Sequence, residues 1–308
     1  RDIQGFIASR ESDDPDRVLM DLHTILHHQL PLNNPIFHMD AIIRNFLIFG
    51  DQTINEILKT KTGLDVSQFL FFALLVGGGL MRSPYISGHD DYSEFGISAA
   101  DRDLFFQNMS QSINDLRDKY RELSRYDHNW EYTVNALISK PFVWLSDSRP
   151  WELYCPVPSF VWSRLGPGLY YDLVKERDFA NAFGDSFEKY IGKFAFSVLQ
   201  PEVYTILPER PYHVGTELKH GTDWIISDTT GHLFIECKTK RLVHNAKLLE
   251  EDDSLTAELT ILAQAGLQMY KNLDDALSGL TDWDSLDLPC FPMIVTLEDW
   301  IIFSPSVR

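Results

Sequence analysis

An α/β core, a mixed sheet flanked by helices, preceded by a mostly α-helical region, is the fold class predicted for this chain of 308 residues. Three observations predict it. Between Gly221 and Lys240, the apolar runs Trp224-Ile225-Ile226 and Leu233-Phe234-Ile235 flank a polar turn. Apolar side chains then fall on both faces of both segments, as in buried central strands. Helical patterns bracket this pair. One runs from about 175 to 199 with Phe183, Phe187, Ile191, Phe194 and Val198 in step; the other runs from about 254 to 273 with Leu255, Leu259, Leu262, Gly266 and Met269 in step. Ahead of them, amphipathic segments follow one another at 17–29, 36–49, 53–61, 66–81 and 99–126, the last capped by Ser98.

The organisation expected is a helical domain over 1–148, an ordered connector rich in proline and aromatics over 149–172, and the α/β core over 173–308. The connector holds too many large apolar residues for a flexible linker. After the second helix, Pro292–Leu297 and Trp300–Phe303 read as further strands.

The hairpin carries the chemistry. A two-residue turn at Thr229-Thr230 sets Asp223 opposite Glu236, whereas a bulge at Gly231 would shift the pairing by one. Glu236 and Lys238, two apart, project on one face. Two carboxylates and an ammonium then meet at one end of the hairpin, a combination suited to a divalent metal and phosphodiester hydrolysis. An ordinary hairpin with a solvated Glu–Lys pair is the bland alternative.

The string Asp223, then Glu236-x-Lys238 across a hairpin, resembles the PD-(D/E)XK nuclease superfamily over about residues 170–305, with Thr222 where the motif's name has proline. The resemblance implies a restriction-endonuclease-like core and a metal-dependent nuclease, with DNA as the nucleic acid and endonuclease action as the chemistry. It implies Mg²⁺, with Mn²⁺ substituting, held by Asp223 and Glu236 with the Cys237 carbonyl as an extra ligand. Lys238 would orient or deprotonate the attacking water. Glu188, between Gly184 and Gly192 on one strip of the first helix, matches the further acid that such a helix contributes to catalysis and metal binding. For the glutamine and tyrosine of the following helix the candidates are Gln264, Gln268 and Tyr270, whose spacing departs from the family's pattern; Gln264, on a polar strip with Thr260 and Gln268, is favoured. Bacterial anti-phage defence is the role by analogy. The alternative is a catalytically silent nuclease fold serving as a nucleic-acid or protein interaction module.

Charge qualifies the substrate. The net charge is −18, unlike a generic nucleic-acid binder. Residues 251–308 hold eleven acids against two bases, whereas 232–247 hold Lys238, Lys240, Arg241 and Lys247 against Glu236 alone. Lys240, Arg241 and Lys247 are the expected phosphate contacts. A homo-oligomer or protein partner supplying binding surface fits the acidity elsewhere. Three scattered cysteines suggest neither zinc nor a disulfide framework. The longest apolar run, Phe69–Met81, is too short to span a bilayer and reads as a buried helix with a glycine stop. A cytoplasmic protein without a membrane partner is the expectation. His27-His28, His38-x-Asp40 and His89-Asp90 are weaker metal candidates, the last a rival phosphohydrolase centre.

Overall fold

The computed structural model describes residues 39–124, 135–242 and 254–298, with Leu19, Met20, Leu22, His23, Leu26 and Trp300. The segments 27–29 and 301–303, with His27, His28, His38 and Lys247, lie outside the described residues. Two compact units divide the chain, Pro35–Ser186 and Phe187–Arg308 with Arg1–Asn34. The division falls inside the helix Phe179–Val198.

The first unit begins with α1 (Met39–Phe49), α2 (Gln52–Thr62) and α3 (Val66–Leu80). Caps set their limits. Asp51 accepts from Thr53 at the start of α2, left-handed Gly63 ends it, and Asp65 with Gln68 closes a capping box on α3. The glycines Gly77–Gly79 lie inside α3 rather than stopping it. A Cβ on Gly77 would sit 2.3 Å from the Trp162 indole, so that glycine makes the seat for the ring. No single helix among the described residues is long and apolar enough to cross a membrane; α2 and α3 reach that length only jointly and are bent by 63°.

The expected helix over 99–126 is two helices, α4 (Ala99–Met109) and α5 (Ile113–Leu123), split by the strand β2 (Ser110–Ser112). Local hydrogen bonding explains the break. Ser110 Oγ donates to the Phe106 carbonyl, and Ser112 caps α5 in a capping box with Asp115. β2 joins a small sheet with β1 (Tyr85–Ser87), β3 (Phe142–Trp144) and β4 (Glu152–Tyr154), in the order β1-β4-β3-β2. This unit is therefore helical and sheet-bearing, and β4 draws part of the 149–172 segment into that sheet. α6 (Ser159–Ser163), a π-helical turn at Arg164–Gly168 and α7 (Leu169–Leu173) follow. Phe69, Phe72, Phe105 and Phe142 are wholly buried and anchor the core.

The long α8 (Phe179–Val198) leads into the second unit. Its sheet has the order β10-β9-β8-β5, from β5 (Thr205–Pro208), β8 (Trp224–Ser227), β9 (His232–Lys238) and β10 (Cys290–Thr296). β6 (Tyr212–Val214) and β7 (Glu217–Lys219) form a separate hairpin. β10 runs parallel to β9 and the other pairs are antiparallel, with α9 (Ser254–Leu277) crossing between β9 and β10. A mixed sheet with helices is thus the architecture. β8 and β9 are its central strands, as their two-sided apolar pattern predicts. Phe234 packs with Leu273 and Ala276 of α9. Phe183 and Phe187 of α8 are buried, but Phe194 and Val198 of the same expected stripe are exposed.

Candidate active site

The β8–β9 turn has the predicted register. Trp224 pairs with Ile235 and Ser227 with His232, and Asp228 N–H donates to the Gly231 carbonyl at 3.1 Å. No bulge intervenes at Gly231, because Asp228 Oδ1 accepts from the Thr230 and Gly231 amides at 2.7 and 3.0 Å and fixes the turn. One step beyond the ladder, the same register sets Asp223 opposite Glu236.

Asp223 Oδ2 accepts the Cys237 N–H at 2.6 Å. Backbone N–H and C=O of a strand residue point to the same side, so the Cys237 carbonyl lies toward the β8 side where Asp223 stands. Glu236, 7% exposed, accepts from Lys238 Nζ at 2.7 Å through Oε1. Its Oε2 is buried without a hydrogen-bond partner. Burial raises the Asp223 carboxyl above the ordinary range; the Cys237 amide and Lys238 oppose that and Glu209 adds to it. Burial also raises Glu236, with Asp223 repelling it and Lys238 partly compensating. A half-buried and a buried acid, the second raised by the charge of the first and keeping an orphaned oxygen, suit a divalent cation.

α8 approaches β8 through a glycine. A Cβ on Gly192 would fall 2.0 Å from Trp224 Cζ2, and Trp224 Nε1 donates to the Glu188 carbonyl at 3.0 Å. Gly184, the other glycine of that strip, faces open space. Gly192→Ala is therefore expected to destabilise the fold by about 1–3 kcal/mol through overpacking. Gly184→Ala should be neutral or stabilise it by up to about 1 kcal/mol. Urea denaturation midpoints of the two variants check the contrast, and equal midpoints would contradict the close approach.

Glu188 reaches the site from the α8 side, where its charge helps raise the Cys237 thiol, after burial and Asp223. By strand alternation Glu236 and Lys238 share the face of Phe234, toward α9. Among the described residues no three His, Cys, Asp or Glu side chains form a group able to hold a metal ion. The structure thus brings Asp223, Glu236, Lys238 and the Cys237 backbone together. Glu188 borders them on the other face.

Gln264 is exposed on α9, and no hydrogen bond joins it to these residues among the described contacts. Glu258 occupies the buried face of that helix instead. It is 6% exposed, pairs with Lys240 Nζ at 3.1 Å and keeps a buried, unpartnered Oε2. Its signal was present in the spacing, three residues after Leu255 and four before Leu262. Arg241, 8% exposed, pairs with Glu298 at 2.8 Å. Of the expected phosphate contacts, Lys240 and Arg241 are therefore held by acids. His89 packs against Trp151 with ring centroids 5.1 Å apart, and the Asp90 carbonyl accepts from Arg102 Nη1 at 3.2 Å.

No protein-family model matches the chain, and neither a curated protein nor a solved structure matches it.

Proposed function

We propose that the second unit is a restriction-endonuclease-like core and that the chain is a metal-dependent nuclease cutting phosphodiester bonds, with DNA as its substrate. The observation that carries this reading is the Asp223–Glu236 pair set across a two-residue hairpin, with Lys238 Nζ 2.7 Å from Glu236. The order α8, β5, β8, β9, α9, β10 supports it, with the acids at the open end of the central hairpin, Asp223 just before β8 and Glu236 near the end of β9.

Asp223, Glu236 and the Cys237 carbonyl are the groups that would hold Mg²⁺ or Mn²⁺, which supplies a Lewis acid and an activated water. The chain's own residues do the rest. Lys238 fixes the rotamer of Glu236 and places a positive charge where phosphoryl oxygens gain negative charge. The Cys237 N–H orients Asp223. Burial of Glu236 keeps bulk water from competing for its oxygens. Incubating the full chain with supercoiled plasmid, single-stranded DNA and RNA tests the reading. Divalent-dependent cleavage of DNA, stopped by EDTA, is expected; no cleavage of any of the three would remove it.

One observation favours a second reading, a catalytically silent interaction module. Lys240 and Arg241 are already paired with Glu258 and Glu298 and are not displayed for phosphates. Calorimetric Mn²⁺ titration separates the readings, since a silent scaffold has no reason to keep the metal.

A further inference from the structure

The first unit contains a cavity of about 610 Å³ that the hairpin chemistry does not use. Lys61, Lys119, Lys140 and Arg164 line it, with Asp172 as the acid among the described lining residues. On a chain of net charge −18, four cations around one cavity are unexpected. They come from separate places: the end of α2, the middle of α5, the residue before β3's approach, and the π-helical turn after α6. Folding, not a basic run in the sequence, gathers them.

Arg164 shows that the site is built rather than incidental. It is 4% exposed, one arm of its guanidinium pairs with Asp172, and its Nε is buried without a partner. The turn that carries it is shaped for it, because a Cβ on Gly168 would lie 2.9 Å from Arg164 Nη1. π-helical turns are rare and frequently mark functional sites. A second buried group ties the lysines together. Gln111, 3% exposed, accepts from Lys119 Nζ at 3.0 Å and donates to the Lys140 carbonyl at 2.9 Å. Lys61 stands half-exposed, paired with Glu176 at 2.6 Å.

Burial lowers the Lys140 ammonium below its ordinary value, and the charges of Lys119 and Arg164 lower it further against the weaker pull of Asp115 and Asp172. Clustered cations with too few acids are costly unless a counter-charge joins them. A solvated lysine face would explain Lys61 alone. It does not explain a buried arginine with an orphaned donor.

We propose that this cavity binds a small polyanion carrying two or more phosphate groups, held by Lys119, Lys140 and Arg164. The volume lies within the range of ligand pockets and exceeds what one phosphate needs. Among the described residues the lining has no aromatic side chain on which a base could stack, so the phosphates carry the recognition. The proposal is independent of the nuclease reading.

Titration calorimetry of the full chain in EDTA with sodium tripolyphosphate, ATP and inorganic phosphate tests it. Tripolyphosphate should bind one to one and at least about 10-fold tighter than inorganic phosphate, as several charge-assisted contacts replace one. Lys119→Gln/Lys140→Gln should weaken it at least about 10-fold, whereas Lys59→Gln/Lys271→Gln, which removes the same charge from exposed positions, should not. If the first pair fails to fold, Lys119→Gln alone, on the cavity's partly exposed edge, carries the comparison. ATP matching tripolyphosphate supports the phosphate tail of a nucleotide as the ligand, and ATP binding much more weakly supports a free polyphosphate. No tripolyphosphate binding, or equal loss in both double variants, would overturn the proposal.

Discussion

Glu236→Gln is expected to lower Mg²⁺-dependent DNA cleavage by about 1,000-fold or more, equivalent to roughly 4 kcal/mol of transition-state stabilisation. Asp223→Asn should do the same, because neutral amides replace the only two carboxylates that the hairpin sets opposite each other. Lys238→Met should cost about 10²–10³-fold, the scale of losing one preorganised charge near a developing oxyanion. None of this should come from unfolding. Glu236 is charged at a cost of burial and of repulsion from Asp223, and its orphaned Oε2 contributes nothing to the fold. Lys238, with a side chain 36% exposed, can turn to water when its partner is neutralised. Stability should therefore stay within about 1 kcal/mol of wild type, the scale of a partly exposed ion pair. The urea midpoint of each variant is measured beside its cleavage rate. Wild-type cleavage by Glu236→Gln would take the hairpin out of the chemistry.

The hairpin was legible because several local signals agree there. Continuous apolar runs on either side mark the two-residue turn between Asp228 and Gly231, and the Asp228 carboxylate that accepts from the Thr230 and Gly231 amides settles its register against a bulge. Once Asp223, Glu236 and Lys238 are on that ladder, their convergence follows from geometry. The sheet of the first unit was not legible for the opposite reason. Its strands are three residues long, and Ser110-Gln111-Ser112 has neither β-branched residues nor alternation to mark it. Its place between two helices is set by capping through Ser112 and by pairing with Phe142–Trp144, a partner some thirty residues away. Near the site, helix phase was the weak link. Gln264 and Glu258 lie on different faces of α9, and the apolar spacing that names Leu255 and Leu262 already places Glu258 between them. Arg241 shows a different limit. A basic residue just past the strand that carries Glu236 and Lys238 looks available for phosphate, yet Glu298, fifty-seven positions later, returns to neutralise it.

In EDTA, the wild-type chain is expected to lose stability relative to Asp223→Asn/Glu236→Gln as pH rises from about 4. Unfolded, the two carboxyls have their ordinary values of 3.8 and 4.5; folded, both are raised, chiefly by burial. Between the ordinary and the raised values the folded state binds more protons than the unfolded state. Unfolding free energy then falls with rising pH through that window. Below it both states are protonated and the pair contributes no slope; above it the cost is complete and constant. Asp228, lowered by Thr230, and Asp275, lowered by Lys219 and then Tyr212, act with the opposite sign in the same unit. The wild-type-minus-variant difference cancels them, and it is the quantity to measure by thermal denaturation across pH. Mn²⁺ should invert the difference. A cation bound between the carboxylates favours their ionised forms, so wild type gains stability as pH rises, by about 2.7 kcal/mol when Mn²⁺ reaches 100 times its dissociation constant. The variant should gain little. A flat difference across pH would show that the acids are not destabilised where the fold puts them. An equal Mn²⁺ shift in both chains would place the metal elsewhere. Either result can be had without a substrate, so the electrostatics of the hairpin can be judged before the question of DNA is asked.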